Sequence, residues 1–252
     1  ENGLSEAAMF LATGEVVQPS EILYKKSIII ERGSFRPATK VTVDMLRCAT
    51  AQFVQEPETQ GEHVITVLEM TLHNLTEGEK IDSQDFLDRV DALAGLGFPV
   101  LISNFAEYHR LAAYLFRYTT KMIGLVMGVP TLIALFDESY YTDLSGGILE
   151  SFGRLFKNDL KIYCYPLLEE ESGAVISGTN LRVASHLRHL HAYLVENRLI
   201  ESLRDYNPEL LSIFSRKVLQ KLQSGDDSWE SEVPELVAKT IKERKLLGYL
   251  SK

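Results

Sequence analysis

The sequence predicts an α/β protein: a mostly parallel sheet with helices on both faces, followed by a helical tail. Three observations carry this. Short apolar, β-branched runs of strand length alternate with segments of helical period. Strand followed by helix, repeated, is the pattern of parallel strands joined by crossovers and covered on both sides. The chain's 252 residues, 45% of them apolar, can build a substantial core.

In chain order, the run SIIIERGSF (27–35) reads as a strand and VDMLRCATAQFVQ (43–55) as a helix. HVITVLEMTL (63–72) and SQDFLDRVDALAGL (83–96) form the next such pair. In the second helix Asp82 or Ser83 is placed to accept free amide hydrogens, Phe86, Leu87, Val90 and Leu93 share a face, and Gly95 or Gly97 provides the end. FPVLISNF (98–105) precedes EYHRLAAYLFRYT (107–119), and KMIGLVMGV (121–129) precedes PTLIALFDESYY (130–141). The segment GGILESFGRLFKN (146–158) leads into a last strand, LKIYCYP (160–166). Leu167 to Asn180, with three consecutive glutamates, reads as a polar hairpin or loop. From Leu181 the pattern is helical to the end, broken at Asn207-Pro208 and at Ser224-Gly225-Asp226-Asp227. The expected organisation is an α/β domain over 1–180 with a helical tail over 181–252 packed on it.

Composition narrows the function classes. A net charge of -9, from 35 acidic and 26 basic residues without long blocks of one sign, gives no general attraction to nucleic acid or anionic lipid. The apolar run Met122–Phe136 is interrupted by Gly124, Gly128 and Pro130 and is too short to span a bilayer. Cys48 and Cys164, each inside an apolar run, fit packed reduced thiols, so a cytoplasmic protein is expected. The first residue is not Met, no basic signal region follows it, and Ser5–Ser20 reads as a continuation. This predicts the carboxy-terminal part of a longer chain.

The candidate site is the turn after the first strand. In IIIERGSFRPAT (28–39) a strand delivers Gly33-Ser34 into a turn, and a helix starts near Thr42. Free backbone amides and the positive end of a helix dipole are the physical means of holding phosphate. Arg36, with Arg32 and Lys40 as further cations, would supply charge-assisted hydrogen bonds, and Thr39 and Thr42 would donate hydroxyls. The alternative reading of the same residues is a strand-to-helix loop with solvated arginines.

This turn resembles the nucleotide-binding motif of the nucleotidylyltransferase superfamily: Gly33, Ser34, Phe35, Pro37 and Thr39 fall on it. Val41 and Thr42 stand where the motif has glycine and its final histidine. No good copy of that family's second motif appears; Ile102-Ser103-Asn104 with Arg110 has the wrong spacing. A broader resemblance, through LYKKSIIIERGSFRP, DFLDRVDAL, VLISNFAEYHRLAAYL, GGILESFGRLF and IKERKLLGY, is to the carboxy-terminal half of a poorly characterised bacterial family. That family is often labelled nicotinate-nucleotide adenylyltransferase. The resemblance implies a nucleotidyltransferase using ATP and Mg²⁺ on a phosphorylated small molecule.

Ser103 and Asn104 end an apolar strand as in the second motif of haloacid-dehalogenase-like phosphotransferases. Their place at a strand's carboxyl end would face them into the same crevice. Such an enzyme needs a nucleophilic aspartate, and the comparable strand end carries Glu69 and Thr71 instead, which implies at most a degenerate scaffold of that topology. His186, His189 and His191 are expected on a basic exposed helix face, not at a metal, and no metal ligand set is expected. Tyr140-Tyr141 and Asp143 join two helices through Gly146-Gly147 and either pack there or line a pocket for a sugar or base. The competing function is a non-catalytic α/β interaction module. In that reading Val233, Leu236, Val237, Thr240 and Ile241 dock onto an amino-terminal domain or a second copy.

Overall fold

The computed structural model describes residues 6–72 and 83–250. The chain opens with β1 (Ala7–Phe10), β2 (Val16–Val17) and α1 (Pro19–Leu23), then runs through β3 (Ser27–Arg32), α2 (Lys40–Phe53) and β4 (Val64–Thr71). Next come α3 (Ser83–Ala94), β5 (Val100–Ser103), α4 (Tyr108–Leu115), β6 (Ile123–Gly128), α5 (Val129–Leu135), α6 (Gly147–Leu155) and β7 (Leu160–Tyr165). The hairpin β8 (Leu167–Leu168) and β9 (Val175–Ile176) precedes α7 (Arg188–Glu196), β10 (Ile200–Ser202), α8 (Ser215–Ser224) and α9 (Glu235–Arg244).

Eight strands form one sheet in the order β10-β7-β6-β3-β4-β5-β1-β2. The strands from β10 to β5 are parallel, and only β1 and β2 run against their neighbours. The parallel part has the doubly wound order of Rossmann-like folds. From β3 the chain steps outward through β4 to β5, then returns to the other side of β3 and steps out through β6, β7 and β10. The gap at the carboxyl ends of β3 and β6 is therefore the topological switch point, where open sheets of this kind leave a crevice.

The strands are apolar because both faces are covered. Ile28 and Ile30 of β3 pack into a core with Leu111 and Leu115 of α4, Leu132 of α5, Phe152 of α6 and Leu194 of α7. Ile29 points the other way, to Leu46, Ala49 and Phe53 of α2 and Leu93 of α3. Gly124 in β6 lets α2 sit close: a Cβ there would stand 3.0 Å from the Phe53 ring.

Three sequence expectations change. Residues 7–10 and 16–17 form an antiparallel edge that the sequence reading left without strands. Ile200–Ser202, read as helical, is the opposite edge strand, paired in parallel with Ile162–Cys164. The tail faces inward: Val233, Val237 and Ile241 are buried with Trp229, Val218 and Leu222, and Ala92 of α3 closes this third cluster. Their helical spacing is thus satisfied within the chain, while Leu236 remains exposed. The expected helix cap at Asp82 lies outside the described residues, as do the side chains of Phe86 and Leu87. Among the described residues no helix is long and apolar enough to cross a membrane.

One strand residue breaks the apolar rule. Glu31 of β3 is 5% exposed, and its Oε2 meets no hydrogen-bond partner among the described residues. Burial pushes its carboxyl well above the ordinary value of 4.5. The folded chain therefore keeps a proton that the unfolded chain releases, so stability declines as pH rises from 4.5 through the folded-state value. Glu31→Gln is expected to match the wild type in acid and to exceed it at neutral pH by about 1–3 kcal/mol. At roughly 2–4 °C per kcal/mol the gain is visible in melts across the pH range; parallel curves for the two proteins would contradict it.

Candidate functional site

At the switch point lies a cleft of about 990 Å³. One wall is the turn after β3, with Arg32, Gly33, Ser34 and Arg36; the base carries Ala106, Glu107 and Tyr108. Thr131, Ala134 and Leu135 of α5 with Tyr140 and Tyr141 form a second wall. The third is one stripe of α8: Ser215, Arg216, Leu219, Gln220 and Gln223.

The turn is shaped by packing. Gly33 continues the parallel ladder, its N–H donating to Glu69 O at 3.1 Å. Phe35, at φ 47°, turns back so that a Cβ on Gly33 would lie 2.8 Å from its ring, a separation side-chain atoms do not tolerate. Glycine is required here by Phe35 itself. With Phe35 buried beneath, Ser34 stays exposed and Arg36 half-buried beside the cleft.

Thr39 and Thr42 do something other than line the cleft. They form a reciprocal capping box at the start of α2, in which the Thr39 N–H donates to Thr42 Oγ1 at 3.4 Å. Both residues are buried. Ser103 is likewise 1% exposed: its hydroxyl donates to Glu69 Oε1 at 2.5 Å and accepts from the Phe105 N–H. Asn104 is exposed on the far side of the β5 end, its N–H bonded to Glu6 O. Of the residues singled out in the sequence, the cleft thus gathers Arg32, Gly33, Ser34, Arg36, Tyr140 and Tyr141, while Thr39, Lys40, Thr42, Ser103 and Asn104 do not line it.

Arg32 is fully engaged in structure. Its Nε donates to Glu69 Oε2 at 2.5 Å, its Nη2 to Oε1 at 3.2 Å and its Nη1 to Ala106 O at 2.8 Å. Its guanidinium carbon sits 4.6 Å from the centroid of the Tyr108 ring.

The α8 wall was not legible as part of a site, because a helix 180 residues downstream reaches the turn only through tertiary contacts. The signal that was present is its stripe: Ser215, Arg216, Leu219, Gln220 and Gln223 recur on one side, opposite the buried Val218 and Leu222. Two latches hold it. Ser215 Oγ donates to Pro37 O at 2.9 Å. Asp44 of α2 accepts from the Asn207 N–H at 2.9 Å and from Tyr165 Oη at 2.7 Å, while Arg47 donates to Asp205 O at 2.7 Å. Arg216 is exposed and has no ion-pair partner among the described residues.

Among the described lining residues the cations are Arg32, Arg36 and Arg216 and the anion is Glu107. Arg32 pairs with Glu69, and Glu107 pairs with Arg110 at 3.2 Å. Tyr141 is anchored through its hydroxyl to Leu135 O at 2.8 Å, and burial pushes its phenol up to about 12. Tyr140 is 64% exposed, which leaves its ring open to a ligand.

The histidines lie elsewhere. His186 Nε2 meets Glu138 Oε2 at 2.5 Å, His189 accepts from Arg188, and His191 is buried against Gly178 O. Among the described residues no cluster of three or more His, Cys, Asp or Glu could hold a metal ion.

No family model matches the chain, and no curated protein matches it. Among solved structures, the chain is similar to Plasmodium falciparum nicotinic acid mononucleotide adenylyltransferase complexed with APC. The identity is 12% over 89% of this chain and 98% of that one, with a TM-score of 0.47. It is also similar to a putative nicotinate-nucleotide adenylyltransferase from Vibrio parahaemolyticus, at 13% identity over 88% of this chain and 96% of that one, TM-score 0.36. At such TM-scores neither likeness bears on the chemistry, which rests on the chain's own geometry.

If Thr39 serves the helix and not a ligand, Thr39→Ala is expected to lower unfolding free energy by about 0.5–2 kcal/mol in denaturant titrations. The affinity of the remaining folded protein for phosphate compounds should stay within about twofold. A large loss of affinity at unchanged stability would return Thr39 to the site.

Proposed function

We propose that the chain binds a nucleotide or related phosphorylated metabolite in the switch-point cleft, in the manner of a nucleotidyltransferase-like protein. One observation carries this reading. Two arginines that the fold brings from opposite ends of the chain, Arg36 and Arg216, face one cleft beside the Gly33-Ser34 turn and the first turn of α8. Guanidinium groups paired with backbone amides at a helix start suit phosphate oxygens. Tyr140 and Tyr141 on the α5 side offer the aromatic surface that a base would use.

Mg²⁺ fits this site only in one way. Among the described residues that line the cleft the one carboxylate is Glu107, and it is held by Arg110. A divalent ion would therefore arrive on the phosphates of ATP, with the chain's arginines binding and orienting the remaining oxygens. When bound, it would neutralise phosphate charge.

A second reading, binding without group transfer, is favoured by a separate observation. The hydroxyls of Thr39, Thr42 and Ser103 are spent on the capping box and on Glu69. Nucleotidyl transfer can proceed by positioning and electrostatic stabilisation, so the cleft supports either outcome. A reducing, cytoplasmic setting suits both readings, since burial raises the thiols of Cys48 to about 11 and Cys164 to about 12 and keeps them unreactive.

Calorimetric titration with ATP, with and without Mg²⁺, nicotinate mononucleotide and pyrophosphate tests the proposal. Saturable binding is expected, weakened about tenfold or more by Arg36→Ala and by Arg216→Ala, as for loss of a charge-assisted hydrogen bond. Binding that survives both substitutions would remove the cleft from consideration. Turnover of ATP with nicotinate mononucleotide separates transfer from binding alone.

A further inference from the structure

We propose that Arg32 is a positioning residue that sets the base of the cleft and governs affinity for the non-phosphate half of the ligand. The inference rests on the cleft reading above. Arg32 was a candidate phosphate ligand by its place in the turn, and it does line the cleft. Its chemistry argues otherwise. The guanidinium meets the Glu69 carboxylate with both Nε and Nη2, and the side chains are 6% and 0% exposed. A cation so neutralised adds little attraction for an anion.

What Arg32 does hold is the segment between β5 and α4. Its Nη1 donates to Ala106 O at 2.8 Å, and its guanidinium lies against the ring of Tyr108, the first residue of α4. The same segment is fixed one residue earlier from two sides. Thr71 Oγ1 donates to Phe105 O at 3.1 Å, and the Phe105 N–H donates to Ser103 Oγ, which itself donates to Glu69. Arg32 is thus the end of a chain of bonds joining the carboxyl ends of β3, β4 and β5 to the stretch Ala106–Tyr108, all three residues of which line the cleft. That stretch lies beyond the Gly33-Ser34 turn and carries no cation of its own. Moving it would alter the room and the aromatic surface for a base or sugar and leave Arg36 and Arg216 in place.

The test uses the double substitution Arg32→Met with Glu69→Met, because removing one partner alone strands a buried charge, whereas replacing both with apolar residues is commonly tolerated. Arg32→Lys, which keeps the charge but not the fork, is run beside it. The first readout needs no ligand: fluorotyrosine-labelled protein followed by ¹⁹F NMR, with the Tyr108 signal assigned by Tyr108→Phe. The Tyr108 resonance is expected to move in the double variant while a cooperative melt is kept; an unmoved resonance in a folded variant overturns the proposal. The second is the affinity ratio between ATP and pyrophosphate. ATP binding is expected to weaken about tenfold, the loss of one stacked or hydrogen-bonded contact, with pyrophosphate within about twofold of wild type. Equal loss of both would make Arg32 a phosphate ligand or a purely structural residue and overturn the inference. Failure of the wild-type chain to bind either probe would defeat the functional proposal, and the NMR result would still decide the role of Arg32.

Discussion

The buried pair between Arg32 and Glu69 is the constraint on which the rest of the site depends. Both charges lie at the carboxyl ends of neighbouring central strands, in register across β3 and β4. Desolvating them is costly, and the cost is recovered only because each is saturated: Glu69 takes two bonds from Arg32 and one from Ser103, and Arg32 adds Ala106 O and the Tyr108 ring. Such a pair contributes little to net stability compared with an apolar substitute, but its bonds tie the strand ends to the loop. Glu31, one residue before Arg32, shows the contrast. It points to the opposite face of the sheet and its Oε2 finds no partner among the described residues, so burial pushes its carboxyl up where Glu69 is ion-paired.

With the strand ends fixed, the cleft is completed from a distance. The turn after β3 and the helix α8 are far apart in sequence, and the bonds between them are few: Ser215 to Pro37, and the Asp44 and Arg47 contacts to residues 205–207. The weight of the attachment is apolar. Trp229, Val218, Leu222, Val237 and Ile241 form a cluster that includes Ala92 of α3, which ties the tail to the sheet's own covering helices. The hydrogen bonds choose the register; burial supplies the adhesion. As a consequence Arg216 faces the same space as Arg36 although nothing local relates them.

Much of this could be read before the fold was known. The parallel strands were visible because strands covered on both faces are apolar at every position, as in Ile28-Ile29-Ile30. The turn at Gly33 was visible from its glycine and proline, and Arg36 from its charge. The edge strands were not: Ile200-Glu201-Ser202 is too short to show a period and is a strand only because Ile162–Cys164 lies beside it. The capping box of Thr39 and Thr42 was not read from the sequence, although their spacing of three is itself a capping signal. Ser103 could not have been placed from sequence, since its partner Glu69 stands on another strand, and neither could the α8 wall, whose position is decided by the tail's packing on α3.

The central claim is that one cleft, formed by the turn 33–36 and the first turn of α8, holds phosphate. An amide-resolved NMR titration of the intact chain with pyrophosphate and then ATP addresses it directly. The account predicts saturable shifts concentrated at Gly33, Ser34, Arg36, Ser215 and Arg216, with ATP adding shifts at Tyr108, Tyr140 and Tyr141. Shifts confined to other surfaces, or none at millimolar ligand, would contradict it.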